Sequence, residues 1–227
     1  MDDGAALRIG AAFSYGESRL NVDNSSAKVN LEGTTLAVTS TYQAAAGWYL
    51  DGVAQLTRYS TDIKTSERGQ TGSPDGLGYA LSIEGGYPFD LGGGLVIEPQ
   101  AQLSYQKIKF DRFTDVDGIS VDLRDGESLR GRFGSRIQKT FDANTTRAWS
   151  PYVEANLLHE FLGDRSILAS DVTFASDSLG TSLQLGGGIN AQVGANKILF
   201  ASVTYERGLS HAAADAWSGN IGMRIAF

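Results

Sequence analysis

The chain has 227 residues, no cysteine, 28 glycines, 4 prolines and a formal charge of −7. The lack of cysteine excludes a disulfide framework, a Cys-based metal site and a thiol nucleophile, and the acidic balance argues against nucleic acid, which demands a basic patch. No run approaches the ~18 consecutive apolar residues of a membrane-spanning helix, but a transmembrane barrel crosses on ~10-residue alternating segments that average hydropathy misses.

The opening residues, Met1-Asp-Asp-Gly, carry no basic region followed by an apolar run, so the sequence reads as a mature or partial form rather than one with a signal peptide. Downstream, large apolar residues fall on alternate positions in segment after segment. The first is Leu7-Arg-Ile9-Gly-Ala11-Ala-Phe13-Ser-Tyr15 and the second Leu36-Ala-Val38-Thr-Ser40-Thr-Tyr42. Trp48-Tyr-Leu50-Asp-Gly52-Val-Ala54-Gln-Leu56 is the third. Leu77-Gly-Tyr79-Ala-Leu81-Ser-Ile83-Glu-Gly85-Gly-Tyr87 and Leu95-Val-Ile97-Glu-Pro99-Gln-Ala101-Gln-Leu103-Ser-Tyr105 follow. The pattern recurs at 129–137, 151–157, 183–193 and 199–205. In the last stretch Trp217, Ile221, Met223, Ile225 and Phe227 alternate with Ser218, Asn220, Gly222, Arg224 and Ala226, and the sequence stops on the aromatic. A period of two is that of a β-strand. Ten strands are predicted, with no helical period competing.

The non-apolar face of these strands is mostly Gly, Ala, Ser, Thr, Gln and Asn, with a few spaced charges. A soluble sandwich buries its apolar face and wets a charged one. A small, polar second face suits the inside of a barrel instead. Aromatics such as Tyr42, Trp48, Tyr87, Tyr105, Trp149, Tyr205 and Trp217 gather near segment ends, where amphipathic rings meet a membrane–water interface. The connections also alternate. Those at 17–33, 60–76, 106–128 and 163–179 are long, that at 206–216 is moderate, and those at 44–47, 90–94, 142–148 and 194–197 are short. An up-and-down outer-membrane barrel requires short periplasmic turns and longer extracellular loops. The predicted fold is therefore all-β, a transmembrane antiparallel up-and-down β-barrel forming one domain over 1–227.

Four stretches carry a resemblance to a known family: Gly47-Trp-Tyr-Leu-Asp-Gly-Val, Leu95-Val-Ile-Glu-Pro-Gln-Ala, Pro151-Tyr-Val-Glu-Ala-Asn-Leu-Leu-His-Glu-Phe and Gly219-Asn-Ile-Gly-Met-Arg-Ile-Ala-Phe. In this order they resemble the translocator domain of classical autotransporters, the type V secretion proteins, with the flavour of the Bordetella pertactin and serum-resistance (Brk-type) members. The resemblance implies protein transport and virulence: an integral bacterial outer-membrane monomer that forms a hydrophilic pore and supports export of an N-terminal passenger. It implies the membrane lipid, the barrel-assembly machinery, and a passenger with its linker helix as partners. Loops would lie outside, and the short turns and C-terminus in the periplasm. The assembly signal would be Ile221, Met223, Ile225 and Phe227. The family's barrel has twelve strands preceded by a pore helix. The first segment here matches the family's third strand, so either two strands and the helix lie outside this sequence or the barrel closes differently.

Candidate chemistry is sparse. His159 has lipid-facing parity at a strand end and His211 lies in a polar loop, and neither sits near a nucleophile elbow or a second metal-spaced ligand. The glycine runs at 92–94 and 186–188 lack the strand-to-helix context of a phosphate loop and read as a turn and a bend. No cofactor, metal or nucleic acid is expected. The inward parity carries Asp51, Glu84, Glu98 and Glu154 with Arg130, Arg132, Arg136 and Arg224. One reading is a salt network lining a wet pore. The other comes from the resemblance: some autotransporters cleave their passenger inside the pore, after an Asn of the linker, helped by wall acids that Asp51, Glu84 and Glu98 resemble. Two rival functions remain at this level: a porin or adhesin barrel without a passenger, and a barrel hydrolase.

Overall fold

A computed structural model of the chain describes residues 4–21, 27–65, 69–123, 125–143, 145–163, 165–169, 172–176, 180–209 and 215–226. Ten antiparallel strands form one continuous wall, each hydrogen-bonded to the next in sequence. They are β1 (Ala6–Asn21), β2 (Ala27–Gln43), β3 (Tyr49–Thr65), β4 (Asp75–Gly86), β5 (Leu95–Phe110), β6 (Gly126–Lys139), β7 (Trp149–Leu162), β8 (Thr181–Gln192), β9 (Lys197–Gly208) and β10 (Ala216–Ile225). Among the described residues there is no helix. The ten predicted strands are all present, and the sequence order is the spatial order.

Several strands run well past the alternating segments. β1 and β2 pair continuously from Ala6↔Gln43 to Asn21↔Lys28, so much of the expected long connection at 17–33 is strand. The same holds at 60–76, where β3 continues to Thr65 and folds back through a short strand at Gly69–Gly72. In these extensions the outward parity turns polar (Glu17, Arg19, Lys28, Asn30, Glu32, Ser60, Asp62 and Lys64), while Leu20, Val29, Leu31, Tyr59 and Ile63 take the inward one, so the apolar stripe of the wall does not continue into them. The two remaining long connections fold onto each other: Phe113–Thr114, Ser120–Asp122, Arg165–Ala169 and Val172–Ser176 make a separate four-stranded sheet. At the other end of the wall the turns are tight. In one, Gly47 has a φ of 96° and donates its N–H to Ala44 O at 3.0 Å, while Ala44 N bonds Trp48 O at 2.9 Å. Gly92, Gly93 and Gly94 all adopt positive φ in the turn before β5, the conformation that glycine alone adopts without strain.

Polarity is inverted relative to a soluble domain. Among the described residues, the buried polar side chains are Thr57, Thr61, Gln100, Asn156, Glu160 and Ser182, against only Ala44 and Leu158 as buried apolar ones. Meanwhile Leu36, Val38, Leu56, Leu81, Ile83, Leu103, Leu157, Leu185, Val203 and Ile221 are exposed. They occupy the outward parity of β2, β3, β4, β5, β7, β8, β9 and β10. Contiguous apolar surface of this extent marks a membrane or protein contact. Aromatic pairs fringe it at both margins. Tyr42–Trp48 (5.3 Å between centroids), Tyr87–Phe89 (4.6 Å) and the stacked Phe141–Trp149 (4.3 Å) lie by the tight turns. Tyr79–Tyr105 (6.1 Å) and Tyr205–Trp217 (4.7 Å) lie toward the long arms.

The wall does not close on itself. β1 and β10 each pair with a single neighbour among the described residues, and both are exposed along almost their whole length. Closure with ten strands, one of the two arrangements left open by the sequence, is thus not the arrangement adopted.

Candidate functional site

β6 carries Arg130, Arg132 and Arg136 on its inward parity, and each reaches a different partner. Arg136 binds the nearest, donating from Nε and Nη2 to Glu154 Oε2 on β7 at 3.4 and 3.2 Å, with its guanidinium 4.6 Å from the Tyr152 ring centroid. Arg132 turns the other way and crosses β5 to pair with Glu84 on β4. The crossing follows from register: Glu84, Gln102 and Arg132 occupy one row, and the Arg132 Nε–H donates to Gln102 Oε1 on the way, at 3.2 Å. Arg130 spans β7 and β8 to pair with Glu206 on β9, and Ser182 Oγ, between them, donates to Glu206 Oε1 at 2.7 Å. Side chains on the concave face of a curved sheet converge, which is why such long reaches succeed.

The middle cluster is the densest. The Tyr49 hydroxyl shares its proton between Glu84 Oε1 at 3.0 Å and Glu98 Oε1 at 3.2 Å. Gln100 donates to the Tyr49 oxygen at 3.1 Å and to Glu98 Oε1 at 2.5 Å. On the far side of Arg132, Asn156 donates to Gln184 Oε1 at 3.0 Å and is only 2% exposed. The chain of contacts therefore runs from β3 to β8. Glycines make room for it. A Cβ on Gly86 would stand 2.6 Å from the Tyr49 ring, so only glycine lets that ring lie across β4. A Cβ on Gly134 would stand 2.0 Å from Asn156 Oδ1.

Asp51 behaves differently from the other two predicted wall acids. It lies opposite Glu84 in register, with Thr41 on its other side, yet its Oδ1 is buried without a hydrogen-bond partner. The structure brings Glu84 and Glu98 together through Tyr49 and leaves Asp51 beside them with a vacant acceptor. Arg224 lies on the same face of β10, exposed at the open edge opposite Ile198. Ile221, Met223 and Ile225 line the outward row of that strand, and Phe227 lies outside the described residues, as does His211. His159 is outward, bonded through Nδ1 to Thr181 Oγ1 at 2.8 Å and set edge-on to Phe161 at 4.8 Å, a packing role.

The inner-wall participants that escaped the sequence reading include Glu160, Glu206 and Tyr49. Glu160 and Glu206 have inward parity just beyond the apolar segments of their strands, so extending the alternation would have found them. Glu160 Oε1 accepts the backbone N–H of Leu129, and its Oε2 accepts Ser128 Oγ, both at 2.8 Å. This carboxylate fills in where the β6–β7 ladder slips between Leu129 and Arg130. Tyr49 has the parity of Asp51, but a lone aromatic on a polar face announces no partner. Among the described residues no His, Asp or Glu group is arranged to hold a metal ion.

Residues 2–204 match the family model described as autotransporter beta-domain. The chain is 28% identical over 191 residues to the pertactin autotransporter of Bordetella parapertussis, covering 83% of this chain and 20% of that protein. It is 26% identical over 204 residues to the BrkA autotransporter of Bordetella pertussis, covering 87% and 20% respectively. It thus spans about a fifth of the length of these curated relatives. Its fold is similar to the transport unit of the Escherichia coli autotransporter AIDA-I, with a TM-score of 0.85 and 19% identity over 100% of this chain and 78% of that one. It is also similar to the β domain of Bordetella BrkA, with a TM-score of 0.77 and 22% identity over 100% and 86%.

Proposed function

The chain belongs to the autotransporter β-domain family, whose translocator domains are outer-membrane β-barrels, and on that premise we propose that it is the membrane-embedded unit that carries an N-terminal passenger to the cell surface. The observation that supports this reading best is the inverted wall: polar groups buried on the inner face and apolar groups exposed on the outer one. Such a wall is stable only with hydrocarbon outside and water or polar polypeptide inside. Its work is structural. The barrel-assembly machinery inserts it, the long arms face outward, and the tight turns and the C-terminus face the periplasm. The open edges of β1 and β10 are completed in the membrane by two preceding strands of the full-length protein, with a linker helix inside. Unpaired backbone groups in hydrocarbon cost several kcal/mol each, so the edges cannot remain bare there.

The paired arginines favour a bracing role for Glu84 and Glu154, and the hydrogen bonds from Tyr49 and Gln100 favour the same for Glu98. An assist to passenger cleavage, in this reading, rests on Asp51, the wall acid with a vacant acceptor. The deciding experiment is protease accessibility of the passenger on intact cells making the full-length protein. Passenger digestion with an intact outer membrane supports export. A passenger retained in the periplasm beside a correctly inserted barrel refutes it.

A further inference from the structure

The outward row of β3 reads Leu50, Gly52, Ala54, Leu56, and its middle is low. Leu50 and Leu56 stand out at either end, while Gly52 contributes no side chain and Ala54 a single methyl. Register puts Val38 of β2 and Leu81 of β4 on either side of Ala54, and Ser40 and Ile83 on either side of Gly52. Val38, Leu81 and Ile83 are each half-exposed or more and form banks over this floor. The result is a groove of about 430 Å³ on the outer wall, with Leu103 behind the Ile83 bank and no charged or amide side chain in its lining. The floor is tight as well as low: a Cβ on Gly52 would stand 3.0 Å from Ser40 Oγ.

The depth of the groove selects its occupant. Toward the tight turns the next row holds Tyr42, which pairs with Trp48, and toward the long arms the next holds Tyr79, which pairs with Tyr105. These rows meet β2 at Tyr42 and Leu36, a separation of about 20 Å at ~3.4 Å per residue. The groove therefore lies wholly within the hydrocarbon band, about 25 Å tall in such barrels, between two aromatic margins. It is bounded on both sides, which suits a single chain lying between banks better than the flat wall of another barrel.

We propose that this groove is a binding site for one acyl chain of a membrane lipid. The chain lies against Gly52 and Ala54 between Val38 and the Leu81–Ile83 bank, and the site holds it longer than the rest of the outer wall does. The proposal rests on the outer face meeting lipid.

The test uses cells that make the full-length protein and are fed a fatty acid bearing a diazirine. After irradiation, cross-links are mapped on the purified barrel by peptide mass spectrometry. Labelling of residues 50–56 is expected to exceed that of the outward rows of β7, β8 and β9 at least threefold. Gly52→Leu combined with Ala54→Leu should bring it down to their level while leaving the other rows unchanged. Equal labelling of all rows in the wild type overturns the groove and leaves the membrane-facing wall intact. Depressed labelling at 50–56 together with barrel-to-barrel cross-links overturns it in favour of a second copy. Labelling of no outward row in an inserted barrel overturns the lipid-facing assignment itself. The wild-type map decides the matter even where the double substitution prevents assembly.

Discussion

Arg132 on β6 pairs with Glu84 on β4 across the full width of the intervening strand, and both side chains are only 17% exposed. With Arg130 and Arg136 reaching the opposite way, one strand braces partners on β4, β7 and β9. Arg132→Met leaves Glu84 without its counter-charge. Breaking a buried pair costs about 3–5 kcal/mol, and a wet lumen reduces this to roughly 1–3 kcal/mol. The temperature at which the barrel loses its heat-modifiable mobility should fall, and adding Glu84→Gln should restore part of the loss. A double-mutant cycle showing strict additivity would remove the brace.

Glu160 substitutes for a missing ladder acceptor. Glu160→Ala strands the Leu129 N–H, at a cost of about 1–3 kcal/mol. Hydrogen exchange should accelerate at Leu129 and its neighbours, with the tight-turn end of β6 unaffected. Glu160→Gln keeps an acceptor oxygen and should retain most of the protection. Unchanged exchange in the alanine variant would show that the backbone re-pairs without the carboxylate.

The outward row of Leu81, Ile83, Leu103, Leu185 and Val203 is assigned to lipid. Charged substitutions there should cost ~2–4 kcal/mol near the midplane. Ser82 points the other way, its hydroxyl 3.0 Å from that of Ser104 on the inner wall. Spin labels at 81 and 83 should be relaxed by lipid-soluble oxygen, and one at 82 by an aqueous quencher. The reverse pattern would place the wall the wrong way round.

The terminal row of Ile221, Met223 and Ile225 has one paired edge, against β9, and Ile221 is 86% exposed. Its parity is that of the other outward rows, and the proposed role of its terminal aromatic is recognition during assembly. Deletion of Phe227 should lower the amount of barrel in the outer membrane of cells while sparing refolding into detergent. Equal losses in both assays would make Phe227 an ordinary packing residue.

The wall acids separate experimentally. Asp51→Asn should leave insertion and heat stability unchanged and reduce passenger release from intact cells, because Asp51 has no partner to lose at Oδ1. Glu84→Gln should lower stability through Arg132 and leave release intact. Normal release by Asp51→Asn would reduce all three acids to pore lining.

The sequence alone determined the face of nearly every wall residue. A strand's side chains alternate with a period of two, so parity along one segment states which residues share a side, and Asp51, Glu84, Glu98, Arg130, Arg132 and Arg136 were placed on the inner wall without any coordinates. It also carried the strand count and the positions of the tight turns. It failed at 17–21, 27–33 and 60–65, which are strand rather than loop, because there the outward face turns polar and the few apolar residues, such as Val29, Leu31 and Ile63, change to the inward parity. What only the tertiary structure decided is which inward groups meet. Arg130 and Glu206 lie 76 positions apart, and their pairing depends on the register of three successive ladders and on the slip at Leu129. Tyr49 reaches Glu84 and Glu98 because Gly86 lets its ring cross β4. Parity is a property of one strand. Partnership needs the stagger between strands and the curvature that turns their inner faces toward one another, and no single segment encodes either.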